Sequence, residues 1–398
     1  MRRLRPGSKQ ILRGINRNLI LNLIKQQGAI SRARLAELTS LAPATISEIV
    51  ALLLEERLVI ETNQVVSERR GPRPVLLELN RRGRYAIGVM LRPDGMNLVA
   101  VDMLADVVGA AQRPIVAGGS PAEVLGRVAQ AVRDLVREES IAWDDVLGVG
   151  VGTTGVIDST TGMCHDAYIM GWHHVAVGPM LSEALGIPVH VDNDTRTLTI
   201  AEQHFGHGQN HQNFVLVTIG RGVGMGAVVT GELLRGQRDI GPEFGHITMR
   251  LDGPLCPCGK RGCLEAIASD VGLLRAASAL GLAGPAETIE TLTDRARADE
   301  RLGALFNEAG VALGVGIANL INLFAPEVVV LTGEGLRAGG LLLDPLRATL
   351  PRCTFGDRAA QTELIITPWD PSWQPWARGA ASLVLDDLLR LPLYEQPR

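Results

Sequence analysis

One imidazole and three thiols crowd into a short stretch in the second half of the chain. His246 is followed by Cys256, Cys258 and Cys263 in the spacing H-x9-C-x-C-x4-C, within Glu243-Phe244-Gly245-His246 and Cys256-Pro257-Cys258-Gly259-Lys260-Arg261-Gly262-Cys263-Leu264-Glu265. One nitrogen and three thiolates complete the tetrahedron of a structural Zn2+ and leave no open position for catalysis at the metal. Pro257, Gly259 and Gly262 permit the tight turns that wrap three sulfurs around one ion. The competing reading is three buried free thiols beside a core histidine. Three of the five cysteines fall within eight residues, and in a reducing compartment such clustering favours a metal over disulfides. Cys164 and Cys353 stand alone and read as packing residues.

These ligands need a rigid body, and the sequence from residue 85 onward supplies one. Strands are expected at 85–89, 98–101 and 107–109, then a helix at 122–138 and a Gly-rich strand at 146–152. A strand at 189–191 leads into a helix through Glu202, with further strands at 214–219 and 226–230. A long helix at 302–323 precedes a buried strand at 328–332, and the Ala/Gly/Leu stretch at 276–285 reads as a helix and loop near the surface. Mixed strands and helices in this order indicate an α/β body. The length of 398 residues suits two or three domains, and 46 % hydrophobic with 21 % charged residues is ordinary for a folded soluble chain. No run reads as long and uncharged enough to cross a membrane, and basic residues 1–13 have no apolar stretch behind them, so a cytoplasmic protein is expected.

The front of the chain differs in charge. Residues 1–84 hold sixteen Lys and Arg against seven Glu and no Asp, while the remainder holds 23 basic and 36 acidic residues, for a net charge of −4. A basic front on an acidic body points to a polyanion at the front, the alternative being a solubilising surface bias. A helix is expected at 15–25 with Leu19, Ile20, Leu23 and Ile24 on its apolar face, stopped by Gly28. Ser31 caps a second helix at 32–38 that turns Leu35, Ala36 and Leu38 inward. Pro43 suits the first turn of a third helix, with Ile46, Ile49, Val50 and Leu53 inward and Thr45, Ser47 and Glu48 outward. Two strands, at 58–60 (continuing into the polar 61–63) and at 75–79, flank Ser67-Glu68-Arg69-Arg70-Gly71-Pro72-Arg73-Pro74, which reads as a hairpin tip. Two short helices followed by an Arg-tipped hairpin match a winged helix-turn-helix, against the alternative of a three-helix protein-interaction module. In that geometry Pro43, Ala44, Thr45 and Ser47 enter the major groove, Arg32 holds phosphate, and Arg69, Arg70 and Arg73 reach a neighbouring groove.

The stretch E-x-G-H followed by C-x-C-G-x-x-G-C-x-E resembles the signature of the ROK family of repressors, open reading frames and kinases. Gly152-Thr153-Thr154-Gly155-Val156-Ile157-Asp158 is similar to its G-x-x-G-x-V-D turn, and Gly171-Trp172 to its G-W element. Val191-Asp192-Asn193-Asp194, with Glu202 later, resembles its E-N-D segment. The front and Gly71-Pro72-Arg73-Pro74 resemble the DNA-binding half of its xylose- and N-acetylglucosamine-responsive repressors. The resemblance implies a two-lobed actin-like (ribonuclease H-like, sugar-kinase-type) body after a winged helix-turn-helix. The implied domains are residues 1–82 for DNA and 83–398 for sugar. Within the second, a small lobe takes about 83–195 plus helix 377–398, and a large lobe about 196–376.

The resemblance further implies a sugar in the cleft between the lobes, bound by Gly155, Asn193, Asp194, Glu243, His246 and Glu265. The chemistry agrees, because carboxylates accept several hydroxyl donors and a zinc-bound imidazole keeps a polarised N–H for the ligand. In the family's kinases the residue matching Asp194 is the general base. The nucleotide apparatus departs from the pattern. The first phosphate loop aligns with Met90-Leu91-Arg92-Pro93-Asp94-Gly95, which has no Gly-Gly-Thr turn. The second survives in part as Gly220-Arg221-Gly222-Val223-Gly224-Met225-Gly226, and Gly333-Glu334-Gly335 puts a carboxylate where the family usually has glycine. Tyr168-Ile169-Met170 stands where an Asn commonly precedes the G-W element. The expectation is a sugar-responsive repressor that binds operator DNA as a homodimer or homotetramer, takes a monosaccharide or derivative as effector, carries structural zinc, uses no ATP and turns nothing over. The sugar would close the cleft, rotate the lobes and respace the DNA-binding heads. The alternative is an ATP-dependent sugar kinase with an added DNA-binding front; a second is a corepressor scaffold that binds a protein.

Overall fold

A computed structural model describes residues 9–62, 75–115, 119–167, 169–236 and 240–389. The chain opens with helix α1 (Lys9–Gln27), longer than its apolar stripe alone marks out. The Gly28 N–H closes it on the Ile24 carbonyl at 3.1 Å. A two-residue strand β1 (Ile30–Ser31) leads into α2 (Arg32–Thr39), where the Ser31 hydroxyl accepts from the Arg34 N–H as expected. α3 (Pro43–Glu55) follows at 118° to α2 and buries Ile46, Ile49, Val50 and Leu53. The inward placement of Leu38 is corrected: it is 41 % exposed, and Ala36 is only half-buried. A helix of eight residues crossing its neighbour this steeply meets it over about one turn, which Leu35 fills. Strands β2 (Val59–Thr62) and β3 (Leu76–Leu79) pair antiparallel, and β1, which the sequence did not announce, joins the far side of β3.

The chain divides into two compact units, Met1–Thr197 with Trp376–Arg398, and Leu198–Pro375. In the first, β4 (Tyr85–Arg92), β5 (Gly95–Val101) and β6 (Val107–Arg113) form an antiparallel meander. Arg92 pairs with Gly95 across a turn of only Pro93 and Asp94. Helix α4 (Pro121–Glu138), started by a Ser120–Glu123 capping box, carries the chain to β7 (Val146–Thr153), parallel to β4. Short strands β8 (Val156–Asp158), β9 (Met163–Ala167) and β10 (Trp172–Val175) form a small separate sheet. Helix α5 (Val177–Leu185) and strand β11 (Val189–Asn193), parallel to β7, complete the order β11-β7-β4-β5-β6. Helix α6 (Asp194–Phe205) then carries the chain from one unit into the other.

The second unit repeats that topology. β12 (Phe214–Ile219), β13 (Val223–Val229) and β14 (Glu232–Leu233) form the meander. Helices α7 (Leu264–Ala268), α8 (Asp270–Ala279), α9 (Ile289–Ala296) and α10 (Glu300–Phe324) precede β15 (Val328–Thr332). Helices α11 (Gly340–Cys353) and α12 (Arg358–Gln361) lead to β16 (Glu363–Ile366), giving the order β14-β13-β12-β15-β16. β13 begins three residues before the expected strand, so Gly224 and Gly226 lie in a strand and only residues 220–222 remain as a turn. By length and composition α10 could cross a membrane, which corrects the expectation that no segment has such a run; 61 % of its most apolar stretch is buried inside the protein.

The last helix, α13 (Gln374–Leu389), returns to the first unit and lies against its sheet. A Cβ at Gly88 would fall 1.9 Å from the Ala377 carbonyl oxygen, and one at Gly150 would fall 1.8 Å from that of Ala380. The Gly-rich strand is thus a close-packing surface for a helix backbone. The far end of α13 meets α1: Asn22 Nδ2 donates to the Leu389 carbonyl at 2.7 Å, and burial pulls Lys25 down to about 8 against the opposing effect of Asp386.

Candidate functional site

The loop that carries the candidate metal ligands is built by local backbone bonding. The Cys256 N–H donates to the Lys260 carbonyl at 2.8 Å and the Gly259 N–H to the Cys256 carbonyl at 3.0 Å, curling the two flanking thiols toward each other. The Met249 N–H to Gly262 carbonyl bond (2.7 Å) and the Leu264 N–H to Ile247 carbonyl bond (3.0 Å) staple this curl to the segment carrying His246. Gly262 has φ +70°, and a Cβ there would lie 1.5 Å from the Arg250 carbonyl oxygen, so no other residue fits. Lys260 Nζ reaches the His246 carbonyl at 2.9 Å and brings a positive charge to the thiols, a contribution the spacing alone does not reveal.

His246, Cys256, Cys258 and Cys263 offer ligand atoms that all lie within 4.8 Å of one another. Cys256 Sγ is 3.6 Å from His246 Nδ1, and Cys258 Sγ is 3.7 Å from Cys263 Sγ. A tetrahedral ion with Zn–S near 2.3 Å and Zn–N near 2.0–2.1 Å has edges of about 3.6 Å for N–S and about 3.8 Å for S–S. The donor set and its spacing therefore fit a metal of that size. Burial pushes the Cys256 thiol up to about 12, so without metal it stays protonated at neutral pH and metal uptake releases that proton.

Glu243 and His246 are tied into one 3-10 turn by the His246 N–H to Glu243 carbonyl bond at 3.0 Å. Glu243 is exposed, and its neighbour Phe244 anchors the turn in the core. Glu265 sits in the first turn of α7, two residues after the candidate metal ligand Cys263, and its Oε2 accepts from the Val223 N–H at 3.2 Å. The metal loop thereby places Glu265 against the β12–β13 turn.

In the first unit, β11 ends at Asn193 and α6 begins at Asp194. Asn193 Oδ1 accepts from the Thr195 N–H at 3.0 Å, and its Nδ2 donates to the Gly155 carbonyl at 3.3 Å, so the structure brings Gly155 and Asn193 together. Asp194 Oδ1 accepts from the Thr195 N–H at 2.7 Å. Beneath them, buried Asp192 is ion-paired with buried Arg196, whose Nη2 also donates to the Ile157 carbonyl at 2.8 Å. This pair fixes the strand-to-helix junction, and sequence reading missed it; the carboxylate and the guanidinium four residues apart were its only signal. The buried hydroxyls of Thr153 and Thr154 have no hydrogen-bond partner among the described residues.

At the front, Pro43, Ala44 and Ser47 are exposed at the start of α3 and Thr45 is half-buried. Arg32 pairs with Glu61 at 2.6 Å, and Arg13, Arg17 and Arg34 pair with Glu48, Glu56 and Glu37. Arg57, Arg81 and Arg84 pair with aspartates of the body, Asp145, Asp102 and Asp106 among them. Much of the positive charge read from the sequence is thus matched within the protein. Exposed pairs contribute only about 0–1 kcal/mol, so a phosphate can compete for them. Arg69, Arg70, Arg73 and Tyr168 lie outside the described residues.

Comparison with known proteins follows the same division. The ROK family profile matches residues 117–387. The xylose repressor of Bacillus subtilis (strain 168) is 27 % identical over 385 residues, covering 96 % of this chain and 98 % of that protein. The crystal structure of a ROK family transcriptional regulator, a homologue of the E. coli MLC protein, is similar with a TM-score of 0.82 and 27 % identity, covering 95 % of this chain and 98 % of the other. A ROK family glucokinase from Streptomyces griseus, solved with glucose and AMPPNP, is similar with a TM-score of 0.60 and 28 % identity, covering 74 % of this chain and 98 % of the other. The regulators thus share almost the whole chain, front included, and the kinase shares three quarters of it. The chain belongs to the ROK family.

Proposed function

We propose that the chain is a sugar-responsive transcriptional repressor of carbohydrate-utilisation genes, acting in the cytoplasm as a homodimer or homotetramer. The observation that carries this reading is a helix pair at 118°, the crossing of a DNA-binding helix-turn-helix, in one chain with a body shared with sugar kinases. Residues 1–82 are the winged helix-turn-helix, with Pro43, Ala44, Thr45 and Ser47 at the leading end of the recognition helix. Arg32 exchanges Glu61 for a phosphate, and Arg69, Arg70 and Arg73 form the wing tip. Gly155, Asn193, Asp194, Glu243, His246 and Glu265 are the carbohydrate ligands of residues 83–398. Zn2+ on His246, Cys256, Cys258 and Cys263 holds Glu243 and Glu265 in place. The two-residue turn at Pro93 and Asp94, where proline removes an N–H donor, supports binding without ATP or turnover.

Operator selection from promoter fragments tests the reading. Affinity should fall linearly with salt on logarithmic axes, as released counterions require. Changing Arg69 and Arg70 to Ala should weaken binding and flatten that slope. Unchanged affinity removes the wing from the account, and failure to bind any fragment at low salt removes the repressor.

A further inference from the structure

We infer that Glu334 determines what the β12–β13 turn accepts: its carboxylate occupies the anion position that the turn's own backbone creates, and so excludes phosphate-bearing ligands. The turn consists of Gly220, Arg221 and Gly222, closed by the Ile219–Val223 pair and by the Gly220 N–H to Gly222 carbonyl bond at 2.9 Å. Successive backbone N–H groups in a glycine turn form a concave nest for anions. Here two of the turn's N–H groups already face carboxylates. The Arg221 N–H donates to Glu334 Oε1 at 3.0 Å, and the Val223 N–H donates to Glu265 Oε2 at 3.2 Å. A Cβ at Gly220 would lie 2.1–2.4 Å from the Glu334 carboxyl atoms, and one at Gly222 would lie 2.7 Å from Glu265 Oε2. The Glu334 carboxylate rests directly on the Gly220 backbone, where a phosphate oxygen would have to sit.

Glu334 is held there by a closed circuit. Arg337 donates to the Glu334 carbonyl and pairs with Asp270, and the Asp270 N–H donates to the Gly220 carbonyl at 2.8 Å. The circuit returns through Arg221 to Glu334, so the plug is braced on both sides of the turn. A polyphosphate entering this turn must displace a tethered carboxylate and then remain beside it and Asp270, both of its own sign. The inference deepens the reading of a chain that does not use nucleotide, and rests on it.

The test is calorimetric titration of the full-length chain with Mg·AMPPNP and with inorganic tripolyphosphate, comparing wild type, Glu334→Gly and Glu334→Gln. Both variants should bind at least about tenfold more tightly than wild type, and Glu334→Gly by more, because glutamine keeps the bulk and the acceptor while losing the charge. Amide exchange at Arg221 should speed up in Glu334→Gly, which loses the acceptor, and much less in the glutamine variant. Glu334→Gln is nearly isosteric and carries the test if the glycine variant does not fold. Folded variants that bind neither probe more tightly than wild type overturn the inference alone. ATP-dependent sugar phosphorylation by the wild-type chain overturns both the inference and the reading beneath it.

Discussion

Changing Cys258 to Ser is expected to cut bound zinc from about one ion per chain to below about a tenth of that, because a neutral hydroxyl replaces one of four thiolate and imidazole ligands. Cys258 is exposed, whereas Cys256 and Cys263 are buried. The substitution therefore removes a ligand while costing little packing, and any loss of stability reports the metal. Structural zinc contributes about 10–16 kcal/mol of apparent binding energy in small metal-dependent domains. Here the loop is also held by the backbone bonds to Lys260 and Gly262, so a local loosening rather than global unfolding is expected. Elemental analysis with thermal melting measures both effects. Sugar affinity should fall with the metal, since Glu265 follows Cys263 by two residues and Glu243 shares a turn with His246. Full zinc occupancy in the variant would contradict the four-ligand assignment, and full sugar affinity without zinc would break the link between metal and sugar.

The second large effect is at Asp194. Changing it to Ala is expected to lower affinity for the effector sugar by about 10- to 150-fold, the equivalent of about 1.5–3 kcal/mol for a hydrogen bond to a charged group. The substitution removes one of two acceptors of the Thr195 N–H, the Asp194 carboxylate at 2.7 Å. Asn193 Oδ1 still accepts from the Thr195 N–H, and the Asp192–Arg196 pair still fixes the end of β11. Changing Asn193 would be less informative, because it would remove that helix cap and the bond to Gly155 together. A thermal-shift panel of monosaccharides identifies a ligand for the wild type, and calorimetry on both proteins gives the ratio. Equal affinities would take Asp194 out of the sugar site.

The clustering of His246, Cys256, Cys258 and Cys263 was legible because everything that shapes their loop is local. These four candidate ligands span eighteen residues, and the glycines that let the loop fold are visible between them. The core face of α3 was legible for the same reason, since Ile46, Ile49, Val50 and Leu53 repeat with the helical period. Leu38 was misplaced because periodicity within α2 carries no information about how steeply α3 crosses it. β1 has two residues, and β8, β9 and β10 are short strands that pair mainly with each other, so no alternation develops that a sequence could display. The repeated sheet order depends on parallel pairings between distant segments, such as β4 with β7 and β12 with β15, and nothing local encodes them. Glu334 stood out as an odd residue between two glycines, yet its bond to Arg221 joins positions 113 apart and emerges only when β15 and β12 lie side by side. The front's charge was counted correctly, but its pairing was not visible: Arg32 meets Glu61 only because the β2–β3 sheet folds back beside α2.

Linkage between sugar and DNA requires the sugar to prefer one of two states of the protein. Titrating the wild-type protein–operator complex with a sugar that stabilises the free protein measures it directly. Operator affinity should drop by about 5- to 150-fold at saturation, the range of a coupling of about 1–3 kcal/mol. An operator affinity that stays constant while the sugar is bound would contradict it.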